Sequence, residues 1–443
     1  MRNTDLRAAR ASFTVKKRIR MCGRPAVPNI IITGMNLSKA VVLRRQPIQT
    51  PVGEFANFDI VSVGPDDFVS SALLLMTKYN KRRLAVHDGE RFVGILEDID
   101  LLGFLAGSAQ IVAGRIDRAS SLQDLAIAAR EIEAQMRALR RQGVKVEVIA
   151  EIVSDLNRRL LSRLFEMVAP AELRTSGCLI VMGSEGRGEQ TMRTDQDNGL
   201  ILEGPVEGAT LESFRNEFSG GLESFGFPPC PGDIMVRNPV WSKPVSDYLA
   251  DFRRWIVLPD DAAHMNVAII YDAKAIAGNV QLLDGAKTAL IDMIRGEQAF
   301  LVHFARAVDA FETPIGLFNN LITSEGTGDA LDLKKGGIFP IVHGVRSLAL
   351  EQGLRETSTD KRILRLCDLG VLRTGFGRDL NQAFRFLLTL RLDGQLAASA
   401  GASGTLVRPA HLSSMERHLL RDALQVVKQF REIVRHHFKL GMF

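Results

Sequence analysis

The sequence predicts an α/β fold extended by an all-α half, and three observations carry that expectation. Residues 56–110 read as strand, helix, strand, strand and helix, with a hairpin turn at Asp88-Gly89. Two short apolar runs, "CLIVMG" at 178–183 and "DNGLILE" at 197–203, bracket a stretch rich in glycine and charge. From about residue 288 onward apolar positions recur at helical spacing, and the last of these segments opens with a capping box, Ser413-x-x-Glu416.

Composition sets the bounds. At 443 residues the chain is long enough for two to four domains, and 46% hydrophobic residues supply their cores. No apolar run approaches the roughly 20 residues of a membrane helix, so no membrane partner is expected. Cys22, Cys178, Cys230 and Cys367 lie far apart with no ligand-type spacing. That usage fits a reducing, cytoplasmic setting without disulfides or a zinc motif. The net charge of +5 is uneven: residues 1–45 hold eleven Lys/Arg and one acid, leaving about −5 on the rest. Residues 1–50 therefore read as a basic, disordered arm, with Met21 and Met35 as alternative starts, and the acidic body disfavours nucleic acid as a partner.

The elements follow in order. Over 51–112, Asp66 or Asp67 is placed to cap a helix carrying Val69, Ala72, Leu73 and Met76, and "RRLAVHDGERFVGIL" forms the hairpin. Over 113–170, Leu122, Leu125, Ala129, Ile132, Met136 and Leu139 mark one amphipathic helix, and Gly143 breaks it. Ile149, Ile152, Leu156, Leu160 and Leu164 mark a second. The pair reads as a helical hairpin linker packed on the next domain, or else as a self-associating coiled coil. Residues 171–287 form the α/β domain of the chemical centre, and 288–443 a helical bundle with one helix expected over Thr288 to Val308.

The chemistry concentrates at 183–197. Asp195 and Asp197, two apart at a strand start, project to the same side. Adjacent like charges call for a cation, and Mg²⁺, which takes a few carboxylates plus phosphate oxygens, is the natural one. Gly183 and Ser184 at the turn into a helix let backbone amides approach phosphate, while Arg187 and Arg193 add cationic donors. Together these residues describe a site for a nucleoside triphosphate (NTP).

The same stretch resembles the nucleotidyltransferase superfamily of DNA polymerase beta type, through Gly183, Ser184, Gly186, Arg187, Glu189, Thr194, Asp195 and Asp197. It is most similar to the PII-uridylyltransferase branch and to nucleotidyltransferase-like proteins that carry CBS modules. The resemblance implies a mixed sheet, a two-metal Mg²⁺ site and NMP transfer from an NTP to an acceptor hydroxyl, with a signalling protein as the implied acceptor. It also implies a third metal carboxylate on a neighbouring strand. Asp272, at the end of the apolar run Val267 to Ile270, is the candidate, although Lys274 and Asn279 stand where the family has Arg and Asp. In "GFPPCPGDIMVRNPVW", Met235, Asn238 and Trp241 resemble a segment suited to the acceptor side, with Trp241 better read as core.

Two further resemblances cover the flanks. Residues 56–110 resemble a CBS motif, a βαββα unit that pairs with a second copy to bind adenine nucleotides. Gly94 and Asp100 match its ligand pattern, Asp100 as the ribose contact, but Glu97 replaces the usual hydroxyl. A single convincing copy implies a homodimer. The C-terminal half resembles the helical substrate-binding domain of the same nucleotidyltransferases, in "DLKKGGIFPIVHGVRSLALEQGLRETST" and "LRLDGQL". Lys334 and Lys335 either reach the nucleotide across the cleft or form a solvated helix end. Conservation of the fold with loss of turnover, leaving a nucleotide sensor, is the alternative function.

Overall fold

A computed structural model describes residues 60–67, 69–79, 81–89, 91–260, 262–316, 320–322, 330–397 and 406–441, with Asp100 described through its backbone alone. The expected basic arm at 1–50, Cys22 and the start of the CBS-like unit lie outside these residues.

Two compact units are present. The first contains β1 (Ser62–Val63), α1 (Val69–Lys78), β2 (Arg83–Asp88) and β3 (Arg91–Glu97), leading into α2 (Asp98–Arg118). β1 pairs parallel to β2 and β2 antiparallel to β3, which is the expected βαββα order. The hairpin turns at Gly89, whose φ of +61° suits glycine. Val63, Ala72, Met76, Leu84, Leu96 and Leu101 form the core between helix and sheet.

The second unit takes in the end of α2 from Ile111 and the two long helices that follow, 141–144 between them being grouped with the first. α3 (Leu122–Arg141) buries Leu125, Ala129, Ile132, Met136 and Leu139, but Leu122 stays exposed at the first turn. Gly143 turns the chain at φ +77°, and α4 (Val146–Val168) buries Ile149, Leu156, Leu160 and Leu164. The pair does not stand apart as a coiled coil: α4 packs on the sheet that follows and on α7 (Gly208–Ser224), where Phe165 meets Phe214 edge-on. On the other helix, Arg140 makes a two-pronged ion pair with Asp393 at 2.6 Å.

The central sheet has the order β6-β5-β4-β7. After the single-turn α5 (Ala171–Ser176) come β4 (Gly177–Val181), α6 (Gly183–Arg187) and β5 (Asn198–Leu202), with β4 and β5 antiparallel. Every residue of β4 and β5 is buried, which explains their unbroken apolar text. β6 (Ser242–Pro244) runs parallel to β5, and α8 (Val245–Val257) follows it. Trp241 is buried against Trp255, so the core reading of that residue holds.

The apolar run Val267 to Ile270 is a helix rather than a strand: α9 (Ala263–Tyr271) ends at Asp272, and β7 (Lys274–Gly278) comes after. A short run buried on several sides gives no period by which to tell the two apart. Likewise Gly296, at φ +87°, divides the helix expected over 288–308 into α10 (Gln281–Ile294) and α11 (Gln298–Ala305).

The helical half packs around α12 (Phe339–Glu351), which is buried at every position from Pro340 to Leu350. A π-helical turn over Lys334–Ile338 precedes it, α13 (Thr359–Asp368) and α15 (Ser414–His437) pack on it, and α14 (Thr374–Ala397) packs on the π-helical turn and on both of those helices. α15 carries the expected capping box: Ser413 accepts from the Glu416 amide, and Glu416 from the Ser413 amide. A two-stranded ladder, β8 (Leu331–Asp332) with β9 (Leu406–Val407), completes this half. Among the described residues no helix is long and apolar enough to cross a membrane.

Candidate active site

β4 delivers the chain to Gly183 and β5 begins just after Asp197, so the antiparallel pairing sets the two side by side. The Met182 amide donates to the Asp197 carbonyl at 2.9 Å. Gly183 adopts φ +56°, and a side chain there would run into Asp197 Oδ2. Glycine is thus required twice, for backbone conformation and for the carboxylate beside it.

Asp195 and Asp197 are brought together with a third ligand-type side chain, Cys230. Their donor atoms lie within 4.8 Å of one another. The Cys230 thiol donates to Asp197 Oδ1 at 3.4 Å. Burial and then the neighbouring Asp195 push the Asp197 carboxyl up to about 6, opposed by Cys230, Arg187 and Lys334. Burial and the adjacent Asp195 both disfavour the charged carboxylate, a cost that a bound cation would offset.

Gly183→Ala is expected to destabilise the protein and weaken nucleotide binding more than Gly188→Ala. Gly188 also has positive φ, +71°, but a new Cβ there meets nothing within 4 Å. Its strain alone costs about 1–2 kcal/mol, so the difference between the two variants, read by thermal unfolding and nucleotide titration, isolates the collision with Asp197.

The two arginines expected at phosphate are committed to protein partners. Arg187 is almost buried; its Nε donates to Glu189 at 2.7 Å and its Nη1 to Asp272 at 2.9 Å. Arg193 holds Glu133 on α3 and the Phe225 carbonyl. Thr194 turns its hydroxyl to the Asp195 carbonyl at 3.4 Å. In this arrangement Arg187 and Arg193 fix the loop that carries Asp195 and Asp197.

Asp272 differs most from expectation. It caps a helix instead of ending a strand, is fully buried, and is not one of the three converging metal-type ligands. Besides Arg187, it accepts from Arg346 at 2.6 Å and Arg362 at 2.7 Å. Burial alone would raise its carboxyl, but Arg346, Arg362 and Arg187 hold it well below the usual carboxylate range. Gly186 lets α6 sit directly on the Asp272 carbonyl, which a Cβ would strike. The geometry therefore makes Asp272 the anion of an arginine cluster joining the sheet to α12 and α13.

On the helical side, Lys334 adds positive charge toward Asp197. Lys335 sits over the Phe311 ring at 5.6 Å, its backbone amide bonded to Asp332. Arg391 of α14, which no motif singled out, has Arg187, Asp332 and Asp195 as charged neighbours and a buried Nε without a hydrogen-bond partner among the described residues. Asn238 caps the turn into β6 by accepting from the Val240 amide at 3.0 Å, and Met235 accepts from the Cys230 amide. Lys274 opens β7, and Asn279, just ahead of α10, accepts from the Gln281 amide at 3.3 Å. In the first unit Glu97 accepts from Arg83 at 2.8 Å.

Glu185, between the two glycines of the motif, is buried, and among the described residues only Asn157 donates to it. Burial pushes its carboxyl up to about 7 from 4.5. A raised folded-state value stabilises the fold most below the unfolded value, and that contribution is lost as pH rises through 7. Glu185→Gln is therefore expected to be neutral near pH 5 and to stabilise by up to about 3 kcal/mol near pH 8, as thermal unfolding at the two values would show. A variant less stable than wild type at pH 8 would overturn the assignment.

A glycine turn set against two carboxylates at one end of the central strands of a mixed sheet, with a helical half lending cations, defines a nucleotidyltransferase-type domain. Three family models agree with that class: "CBS domain" over residues 52–107, "Putative nucleotidyltransferase DUF294" over 130–262, and "Putative nucleotidyltransferase substrate binding domain" over 298–438. The chain belongs to the CBS-domain-containing family of such nucleotidyltransferases. No curated protein matches it.

Proposed function

We propose that the chain transfers a nucleoside monophosphate from an NTP to an acceptor hydroxyl on a signalling protein, in the manner of PII-uridylyltransferase, with Mg²⁺ held at Asp195 and Asp197. The observation that carries this reading is the convergence of the two carboxylates beside the Gly183 turn. Two hard oxygen donors suit Mg²⁺, which when bound would offset phosphate charge and polarise the reacting phosphorus. Gly183 keeps Asp197 in place, and the Arg187 and Arg193 clamps hold the loop between them. Lys334 and Arg391 supply the cations for the triphosphate from the helical half.

Lys334→Ala and Arg391→Ala should each weaken Mg-NTP binding about tenfold, the worth of one charge-assisted contact. Isothermal titration would check this, and unchanged affinity in both would remove the helical half from the nucleotide site. The overall reading is tested by thermal shift and pyrophosphate release with each NTP, with and without Mg²⁺, beside Asp195→Ala. Mg-dependent stabilisation and release, both lost in the variant, support it; no response to any nucleotide sinks it.

A second reading, nucleotide sensing without turnover, is favoured by the metal-type group itself, which has no third carboxylate among the described residues. Tight Mg-NTP binding without pyrophosphate release in the presence of acceptor would select it. The single CBS-like unit then serves as regulator, pairing with that of a second copy and offering an adenine-nucleotide cleft. Sedimentation with and without ATP tests both.

A further inference from the structure

We propose that a cavity between α4 and β7 is a second anion site, which holds the phosphate group of a small ligand on Arg158 and Lys274. Its lining includes neither the Gly183 turn nor the aspartate pair. The inference therefore stands apart from the transferase reading and needs no turnover.

The cavity measures about 520 Å³, a size suited to a small molecule, and all its lining belongs to the second unit. One wall is a single face of α4, on which Asp155, Arg158, Arg159, Ser162, Arg163 and Glu166 fall at helical intervals. The other wall is β7, where Lys274, Ala275 and Ile276 line the cavity in succession. Successive residues of a regular strand alternate between faces. β7, however, is an edge strand, and its ladder with β4 skips Ile276, the irregularity of a bulge that re-aims its neighbours.

Charge within the cavity is sorted so that two cations are left over. Arg159 holds Asp155 at 2.9 Å and reaches Asp117, at the end of α2, at 3.8 Å. Arg163 holds Glu166 at 2.9 Å and donates to the Ala119 carbonyl. All three acids of the lining are thereby engaged. Arg158 donates through Nε to the Ser154 carbonyl at 2.9 Å, and among the described residues neither it nor Lys274 has a carboxylate at ion-pair distance. Burial first, then Arg158 and Lys361 of α13, pushes the Lys274 ammonium below its usual range, and Asp155 and Glu185 offset this only in part.

A guanidinium and an ammonium left unpaired in one cavity match the two charges of a phosphate monoester, where a carboxylate would neutralise only one. The planar fork of the arginine suits phosphate oxygens, and the lysine adds a compact charge beside it. Both walls also adjoin the nucleotide motif. Asn157, next to Arg158, donates to Glu185 of α6 at 3.2 Å, and β7 begins two residues after Asp272.

The test is a thermal-shift and calorimetric titration of the full chain without Mg²⁺ at pH 8, where phosphate is a dianion, with ionic strength held constant by NaCl. Inorganic phosphate and glycerol 3-phosphate are the two probes. Both should stabilise the wild type and Asp195→Ala, and Lys274→Gln or Arg158→Gln should each weaken binding about tenfold. Arg295→Gln, which removes an exposed cation just past α10, should bind as wild type does. Without phosphate, Lys274→Gln should melt at or above the wild-type temperature, because it removes a charge that burial and two like charges disfavour. If Arg158→Gln proves unfolded, Lys274→Gln decides. Tighter binding of glycerol 3-phosphate assigns the site to an organic phosphate, and equal affinity assigns it to the free ion. No stabilisation by either probe, or binding undiminished in Lys274→Gln, overturns the proposal. Binding lost in Lys334→Ala but kept in Lys274→Gln would place the phosphate in the nucleotide cleft, sinking this inference and leaving the transferase reading intact.

Discussion

Asp272→Ala is expected to cost about 3–5 kcal/mol, the range seen when one partner of a buried ion pair is removed. The figure belongs at the upper end here because three guanidinium groups converge on one carboxylate. Arg362 is itself 1% exposed and has a buried Nη2 with no hydrogen-bond partner among the described residues even in the intact cluster. Removing the anion strands Arg346 and Arg362 without charge compensation and leaves Arg187 with Glu189 alone. The melting temperature should fall by on the order of 10 °C. Asp272→Asn, which keeps acceptor geometry through its carbonyl, should lose less.

The sign with pH is fixed by the depressed carboxyl. Its stabilisation is present above the unfolded value of 3.8 and disappears as pH falls below it, so the gap between wild type and variant should close only in acid. The same experiment separates the two roles available to Asp272. A metal ligand would lose Mg-dependent binding with stability unchanged, whereas the anion of a structural cluster would lose stability first. An Asp272→Ala protein melting within about 2 °C of wild type would refute the cluster's importance.

What the sequence disclosed and what it withheld follow from the range of the interactions. The βαββα order, the Gly183 turn, the Asp195–Asp197 pair and the Ser413 capping box depend on residues at most a few tens of positions apart, whose spacing is itself the signal. Asp272 was misplaced because its partners Arg346 and Arg362 sit on helices 74 and 90 residues further on. No local pattern announces that three cations meet one anion. A better clue lay in Gly186, since glycine inside a helical turn often marks a close backbone approach.

Cys230 and Arg391 were missed for a related reason. Cysteine spacing along the chain finds sites built from one loop or helix, and Cys230 reaches Asp197 across 33 positions through backbone bonds of a Pro-Gly-rich loop. Arg391 lies in "LRLDGQL", quoted only for its resemblance to the helical domain. Its position beside Asp195 and Asp332 depends on how α14 docks. Arg187 and Arg193, expected at phosphate, are held by protein carboxylates in this structure. Arg187 pairs with Glu189 of its own motif but also with Asp272, 85 positions on, and Arg193 pairs with Glu133, 60 positions back, and neither distant partner is announced by spacing.

Asp197→Asn is expected to abolish nucleotide transfer, by on the order of 10³-fold or more, while leaving the fold intact. Each tenfold in rate is about 1.4 kcal/mol, and the loss of several kcal/mol of charge stabilisation at the metal therefore removes about three powers of ten. Stability should not suffer, because the bonds that position this residue are backbone ones. The Met182 amide still meets the residue-197 carbonyl, and the amide oxygen still accepts from Cys230. Removing one of two adjacent negative charges also relieves their repulsion, so the metal-free variant should melt at or above the wild-type temperature near pH 8. A site whose charges destabilise the empty protein and are needed only by the loaded one is the signature of ligand binding rather than architecture. Should Asp197→Asn instead melt earlier than wild type and keep Mg-NTP affinity, the carboxylate pair would be structural, and the transferase reading would have lost its centre.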